Sequence, residues 1–379
     1  MTNDNIYDVA IAGGGLAGLA LSIQLARQGH SVVLFEKEEY PFHKVCGEYI
    51  SLESWDFLNE LGVDLDSINV PIITELQVSG TNGKLLQHHL SLGGFGISRY
   101  QLDYSLAQLA ISAGVVLKEN TKVSDVMFYE NEFRIDTSQQ SYRAKLVCGT
   151  YGKRSNIDIK WKRPFSTAVK NKLNNYIGVK YHFRGDYPAN TIALHNFKNG
   201  YCGIVKVEGD KYNLCYLTTA DNLQKSNGDI RMMEQTILCK NPHLKKIFSD
   251  HKIFTEAPVT ISQISFEKKS QVENHVLMIG DAAGMITPLC GNGMSMALHG
   301  SKLAAGSIHK FLQGSLTREK MEKRYSDQWQ RHFTGRLRTG RVIQRLFGNK
   351  RLTNLFITLI KPFPGLVDSL IGKTHGKSF

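Results

Sequence analysis

Three glycines near the amino terminus, Gly13, Gly15 and Gly18, carry the first chemical signal of this 379-residue chain. Their G-x-G-x-x-G spacing suits a diphosphate. The first permits a tight turn, the second lets backbone approach the phosphates, and the third lets helix pack closely on strand. The amides of Leu16 and Ala17 then open a helix whose positive end favours the charge. Glu36, with Lys37 beside it, stands about 20 residues beyond the turn, where a carboxylate can accept from a ribose hydroxyl. An acid there suits an adenosine ribose without a 2′-phosphate, as in FAD or NAD.

A second group lies far along the chain: Gly280-Asp281-Ala282-Ala283, then Pro288, then Gly291-Asn292-Gly293-Met294. Asp281 can accept from ribityl hydroxyls, and the small residues beside it leave room for a flavin chain. The amides of Gly293 and Met294 begin a helix whose positive end can stabilise charge on a reduced isoalloxazine. Both groups together predict FAD, held and not passing. Two more side chains have types that can act on a substrate, Cys46 as a contact or proton donor and Tyr201 as a weak acid. Each type also serves as plain packing. His88-His89 has no cysteine or second histidine pair at ligand spacing, so no metal is expected.

These residues need strands and helices to hold them. Tyr7 to Lys37 reads as strand, glycine turn, helix and strand, with Val9, Ile11 and Ala12 suited to a strand buried on both faces. The helix carries Leu19, Ala20, Ile23 and Leu25 and stops at Gly29. Further helices are expected from about Leu52 to Leu61, around Leu102 to Ala110, and near Ile230 to Leu238. Ile72 to Val78 and Leu85 to Leu90 read as strands about an Asn82-Gly83 turn. Val115 to Leu117, Lys122 to Phe128, Glu132 to Thr137 and Lys145 to Cys148 follow. Ile177 to Leu217 reads as three antiparallel runs, and Val259 to Ile264 and His275 to Ile279 as later strands. The predicted class is α/β: a discontinuous Rossmann-like FAD domain (1–71, 98–160, 272–312), an inserted antiparallel β-sheet substrate domain (72–97, 161–271), and a basic helical segment (313–379).

Apolar content of 42% and charged content of 21% describe a globular chain. No signal peptide and no membrane span of roughly 20 apolar residues is evident. Six scattered cysteines suggest reduced thiols in the cytoplasm. Of the net charge of +12, the chain from Gly335 onward holds nine Lys or Arg against Asp368, a difference of +8. No nucleic-acid module accompanies it, so no nucleic-acid partner is expected.

In order and spacing, residues 5 to 310 resemble the flavoprotein family of aromatic hydroxylases, geranylgeranyl reductases and flavin-dependent halogenases. Lys44 to Ser51, KVCGEYIS, most resembles the K-x-C-G-G/E segment of the geranylgeranyl reductase branch. That resemblance implies that Lys44, Cys46 and Gly47 lie beside the flavin. ISRYQLD resembles the family's R-x-x-L helix start, which implies an FAD contact for Arg99, and the strand at Val123 resembles the one that meets adenine. The family's middle motif G-A-D-G-x-x-S is here Gly149-Thr150-Tyr151-Gly152-Lys153-Arg154-Ser155. Tyr151 replaces the aspartate tied to flavin and NADPH handling, so NAD(P)H is one candidate reductant and the electron donor stays open. The reductases' Y-x-W-x-F-P strand is reduced to Tyr201 to Lys206, and the halogenases' W-x-W-x-I-P segment is missing.

Leu352, Leu355, Phe356, Leu359 and Ile360 recur at helical spacing near the end, between Arg351 and Lys361. A helix closed on the protein's own core and a basic amphipathic helix on the inner membrane surface both fit. The expected activity is reduction of C=C bonds in a hydrophobic, isoprenoid- or polyketide-like substrate. Monooxygenation of a hydrophobic or aromatic metabolite, and flavin binding without turnover, are the alternatives.

Overall fold

Apolar runs bounded by glycine or asparagine build most of the strands. The computed structural model describes residues 2–167, 175–249, 257–347 and 350–379. In chain order the strands are β1 (Thr2–Ala12), β2 (Val32–Phe35), β3 (Tyr49–Ser51), β4 (Ile72–Ser79), β5 (Leu85–Gly96), β6 (Val116–Lys118), β7 (Val123–Tyr129), β8 (Glu132–Thr137), β9 (Ser141–Gly149), β10 (Tyr176–Phe183), β11 (Thr191–Phe197), β12 (Gly200–Lys206), β13 (Tyr212–Thr219), β14 (Val259–Ile264), β15 (Val272–Glu273) and β16 (Val276–Met278). The principal helices are α1 (Leu16–Arg27), α2 (Arg99–Ser112), α3 (Gly293–Leu312), α4 (Arg318–Leu346), α5 (Lys350–Ile360) and α6 (Pro364–Gly372). The molecule is a mixed α/β protein.

One sheet runs β15-β16-β9-β1-β2-β6, with β8 attached through β9 and β7 through β8. β1 lies parallel to both β2 and β9, with Ala12 opposite Phe35 and Gly149. β16 is parallel to β9, Met278 opposite Gly149. The Gly13 turn, Glu36, Thr150 and Gly280 therefore leave the sheet at one edge, the carboxyl ends of its parallel strands. That is where open α/β sheets bind ligands. α1 packs on this sheet and against α2 and α3.

The second sheet runs β14-β10-β13-β12-β11-β4-β5-β3. It is antiparallel except where β11 runs parallel to β4. Tyr49–Ser51 falls within the range assigned from sequence to the nucleotide domain, yet it pairs with β5 in this sheet. Ile177 to Leu217 holds four strands, not three, because Arg184 to Asn190 turns the chain between β10 and β11. β5 continues past Leu90 to Gly96, passing Gly93 at φ +70°.

The carboxyl-terminal stripe faces differently from the pattern read in the sequence. Ile357 and Val367 are buried, whereas Leu355 and Leu359 are exposed. α5 is apolar on more than one side, and the tertiary contact selects Thr353 and Ile357 for the inside. The side chains of Arg351, Leu352 and Cys290 lie outside the described residues; the other five cysteines are free thiols.

A buried ion pair joins the first sheet to the chain that returns to it. Arg163, 1% exposed, donates to Asp158 Oδ1 at 2.8 Å and to the carbonyls of Ser270 and Ala282. Tyr151 also donates to Asp158, at 3.0 Å, so its phenol points into this cluster. Burial, then the Asp158 charge, pushes the Tyr151 phenol far up, so it stays protonated. Arg163→Met should leave Asp158 buried without its cation and lower unfolding free energy by about 3–5 kcal/mol. Urea denaturation followed by fluorescence measures this.

Candidate active site

The glycine turn is held from both sides. Gly13 has φ +114° and donates to the Phe35 carbonyl at 2.8 Å. A Cβ on Gly18 would overlap the Gly13 carbonyl oxygen and lie 2.7 Å from Thr150 Oγ1. Gly15 is open, with only Arg99 Nη2 nearby, 3.8 Å from where its Cβ would stand. α1 has no side-chain cap, which leaves the amides of Leu16 and Ala17 available to an anion. Glu36 braces the turn: one oxygen accepts from Gly14 N–H at 3.0 Å, the other from Lys37 N–H at 2.8 Å. Thr121 N–H donates to the Glu36 carbonyl at 2.8 Å, which sets Val123 and the start of β7 beside this end.

Beside the turn, Arg99 grips Asp103 through two bonds of 2.7 Å, and Lys44 Nζ lies 3.0 Å from the same carboxylate. Burial alone would raise the Asp103 carboxyl, but Arg99 and Lys44 outweigh it and hold it below its ordinary value. Tyr40 donates its phenol proton to the Gly14 carbonyl.

Cys46 and Gly47 follow directly. Asn213 Nδ2, from β13, donates to their carbonyls at 3.1 and 2.8 Å. Gly47 is exposed, and a Cβ there would meet nothing within 4 Å, so this stretch faces open space. Burial pushes the Cys46 thiol up and the nearby Arg99 pulls it down; the net shift is upward. Cys46 is therefore a neutral thiol near pH 7 and not a thiolate. Glu48, fully buried with φ +56°, binds Lys180, lies 2.7 Å from His182 Nε2, and accepts from Arg99 N–H at 2.8 Å.

The far group arrives from the other end of the chain. Gly280 has φ +64°, and a Cβ there would stand 3.2 Å from the Ala17 methyl, which brings this turn against the start of α1. Burial pushes the Asp281 carboxyl up; Lys269, Arg99 and Lys153 oppose it. Pro288 is exposed, and Gly291 has φ +65° beside the Tyr49 ring. α3 begins at Gly293 without a side-chain cap, so the amides of Gly293 and Met294 are available. The site thus presents two uncapped helix starts, open glycine surfaces and a half-buried Asp281, a donor set that fits FAD.

Sequence reading missed four contributors: Glu48, Asn213, Lys153 and Lys269. Burial drives both lysines down to about 8, and Lys269 donates to the Asp281 carbonyl at 2.8 Å. Lys153 sits inside the altered middle motif, which was the available signal. Tyr201 is not brought to Cys46. Along the β12–β13 pair, Tyr201 opposes Leu217 while Val205 opposes Asn213. Four residues of strand put Tyr201 about 13 Å from the Asn213 contact. It packs instead in an apolar cluster with Leu217, Phe266, Met285, Leu289 and Ile357. A surface cleft of about 620 Å³ between Gly62, Tyr104 and Glu208 includes none of these cofactor residues.

Fold and site define an FAD-dependent oxidoreductase. The chain belongs to the FAD binding domain family, whose model matches residues 6–334. It is 27% identical to conditioned medium factor receptor 1 of Dictyostelium discoideum, over 87% of this chain and 69% of that one. It is also 27% identical to digeranylgeranylglycerophospholipid reductase of Methanosarcina acetivorans, over 87% and 82% of the two chains. In architecture it resembles the flavin-dependent brominase Bmp2, with a TM-score of 0.77 and 20% identity, covering 98% of this chain and 93% of that one.

Two substitutions check the site. Gly18→Ala should weaken FAD binding by at least about tenfold, because the methyl displaces the turn that carries the phosphates; fluorescence titration of apoprotein measures it. Lys180 and His182 hold the Glu48 carboxyl below its ordinary value of 4.5 despite burial. Its stabilisation is therefore fully present above pH 4.5 and is lost as pH falls below it. Glu48→Gln should flatten the acid side of a plot of melting temperature against pH.

Proposed function

We propose that this protein is a reductase of the geranylgeranyl reductase branch, adding two electrons and two protons across a C=C bond of a hydrophobic, isoprenoid- or polyketide-like substrate. The observation that carries this reading is Cys46, a half-buried neutral thiol next to the open face of Gly47. A reduction needs a proton at one alkene carbon, and a thiol that keeps its proton at pH 7 can provide it. The KVCGEYIS segment and the reductase relative support the same branch. The missing W-x-W-x-I-P segment weighs against halogenation.

Bound FAD supplies the hydride chemistry; the chain positions it. Gly13, Gly15, Leu16, Ala17 and Gly18 would hold its diphosphate, Glu36 and Val123 its adenosine end, and Asp281, Gly293 and Met294 its flavin end. Arg99, Lys44 and Lys37 set the charge around it, and the electron donor is left open by Tyr151 in the middle motif. Leu217, Phe266, Met285 and Leu289 present an apolar wall that excludes water and suits a hydrocarbon substrate. Tyr201 packs in that wall, about 13 Å along its strand from the Asn213 contact, and is not the proton donor.

Anaerobic turnover of dithionite-reduced, FAD-loaded protein with polyprenyl substrates tests the reaction. Saturated product without oxygen is expected. Product that appears only with oxygen would instead identify the monooxygenase. Cys46→Ala should lower kcat by about 10²-fold with flavin content unchanged, the ordinary size of a lost general acid. Undiminished turnover would remove the thiol from the mechanism.

A further inference from the structure

Helices α5 and α6 form a bent pair, 117° apart, that carries the densest run of exposed apolar side chains among the described residues. Leu355, Leu359, Phe363 and Leu366 are 55–59% exposed and fall within twelve residues. The remaining exposed apolar residues, such as Ile6, Ile111 and Ile159, are scattered along the chain. Scattered residues need no partner, whereas a contiguous run marks an interaction surface.

The opposite side of the same pair is occupied. Ile357 and Val367 are buried in the cluster that contains Tyr201, Met285 and Leu289. Just beyond α6, the Thr374 carbonyl accepts from Asn292 Nδ2 at 2.5 Å, at the start of α3. The pair is thus anchored inward, with its two helices bent 117° from one line; no single described helix is long and apolar enough to cross a bilayer. A helix pair with one packed side, one apolar side and cations at its edge lies in the plane of an interface.

Charge selects the partner. In sequence, exposed Lys361 lies inside the apolar run, with exposed Arg338 and Arg345 before it and exposed Lys373 and Lys377 after it. The only acid from Gly335 onward, Asp368, is engaged by His88 at 2.8 Å. Long basic side chains at the rim of an apolar face suit phosphate headgroups above acyl chains. We propose that the α5–α6 pair docks on the surface of a bilayer containing anionic phospholipid, with Leu355, Leu359, Phe363 and Leu366 inserted among the acyl chains. One side of the pair then meets lipid and the other roofs the apolar wall beside Tyr201. A hydrocarbon substrate enters between them without crossing water. That purpose rests on the hydrophobic-substrate reading; the docking itself does not.

Flotation of full-length, FAD-loaded protein with vesicles tests the docking without any turnover. The vesicles are phosphatidylcholine alone, or phosphatidylcholine with roughly 30% phosphatidylglycerol. Binding is expected to the anionic vesicles and should fall at least about fivefold between about 0.1 M and 0.5 M salt. The triple variant Leu355→Ser/Leu359→Ser/Phe363→Ser should lose at least about tenfold in binding while keeping its FAD and melting temperature. Should the triple variant melt early, Phe363→Ser alone is read in its place. Lys361→Glu/Lys373→Glu should weaken binding to anionic vesicles selectively. No flotation by the unaltered protein would overturn the proposal. So would flotation indifferent to the serine substitutions, or loss of a dimer on those substitutions without lipid binding. Failure of the reductase assay with flotation intact would sink the catalytic reading alone.

Discussion

Everything in this molecule turns on a carboxylate buried at the seam of two sheets. Glu48 has no solvent to share its charge, so Lys180, His182 and the Arg99 amide must all reach it. Lys180 and His182 come from β10 of the antiparallel sheet, and Arg99 opens the helix that packs on α1. Removing either side leaves a buried charge without its counterpart, a cost of several kcal/mol. The seam therefore sets one relative position of the two sheets. Cys46 and Gly47, adjoining Glu48 and tied by Asn213, inherit that position.

The cofactor end obeys a different constraint, close approach. Gly18 must lack a side chain for the Gly13 carbonyl to sit where it does, and Gly280 comes within methyl contact of Ala17. Two helices, α1 and α3, start there with uncapped amides. Free amides at a helix start, with the positive end of the helix behind them, favour a negative group placed there. An FAD whose diphosphate and reduced ring both carry negative charge meets both needs. Arg99, Lys44, Lys153 and Lys269 crowd cations into the same region, and burial lowers Lys153 and Lys269 to about 8.

The cluster around Tyr201 is apolar and is closed by the chain's last helices. Their inner residues complete the wall around Tyr201, and their outer residues remain in contact with solvent. The stripe read from sequence admitted a core face or a lipid face. In the fold the pair buries one side in the apolar cluster and leaves the other exposed.

The amino-acid sequence by itself determined the local features: the glycine turn, the strand–helix–strand unit around it, the Asp281 turn and helix, and the FAD they imply. Each depends on residues a few positions apart, whose spacing is set by helix and strand geometry before any long-range contact forms. The strand near Val123 and the helix at Arg99 were legible for the same reason. Only tertiary structure decided the pairings between distant segments. Glu48 with Lys180 spans 132 residues and Arg163 with Ala282 spans 119, and no local pattern encodes such partners. Tertiary structure also sent Tyr49–Ser51 to the second sheet, separated Tyr201 from Cys46, and chose which side of α5 would be buried. Those outcomes follow from burying the most apolar surface and pairing every buried charge at once, which is a property of the whole chain.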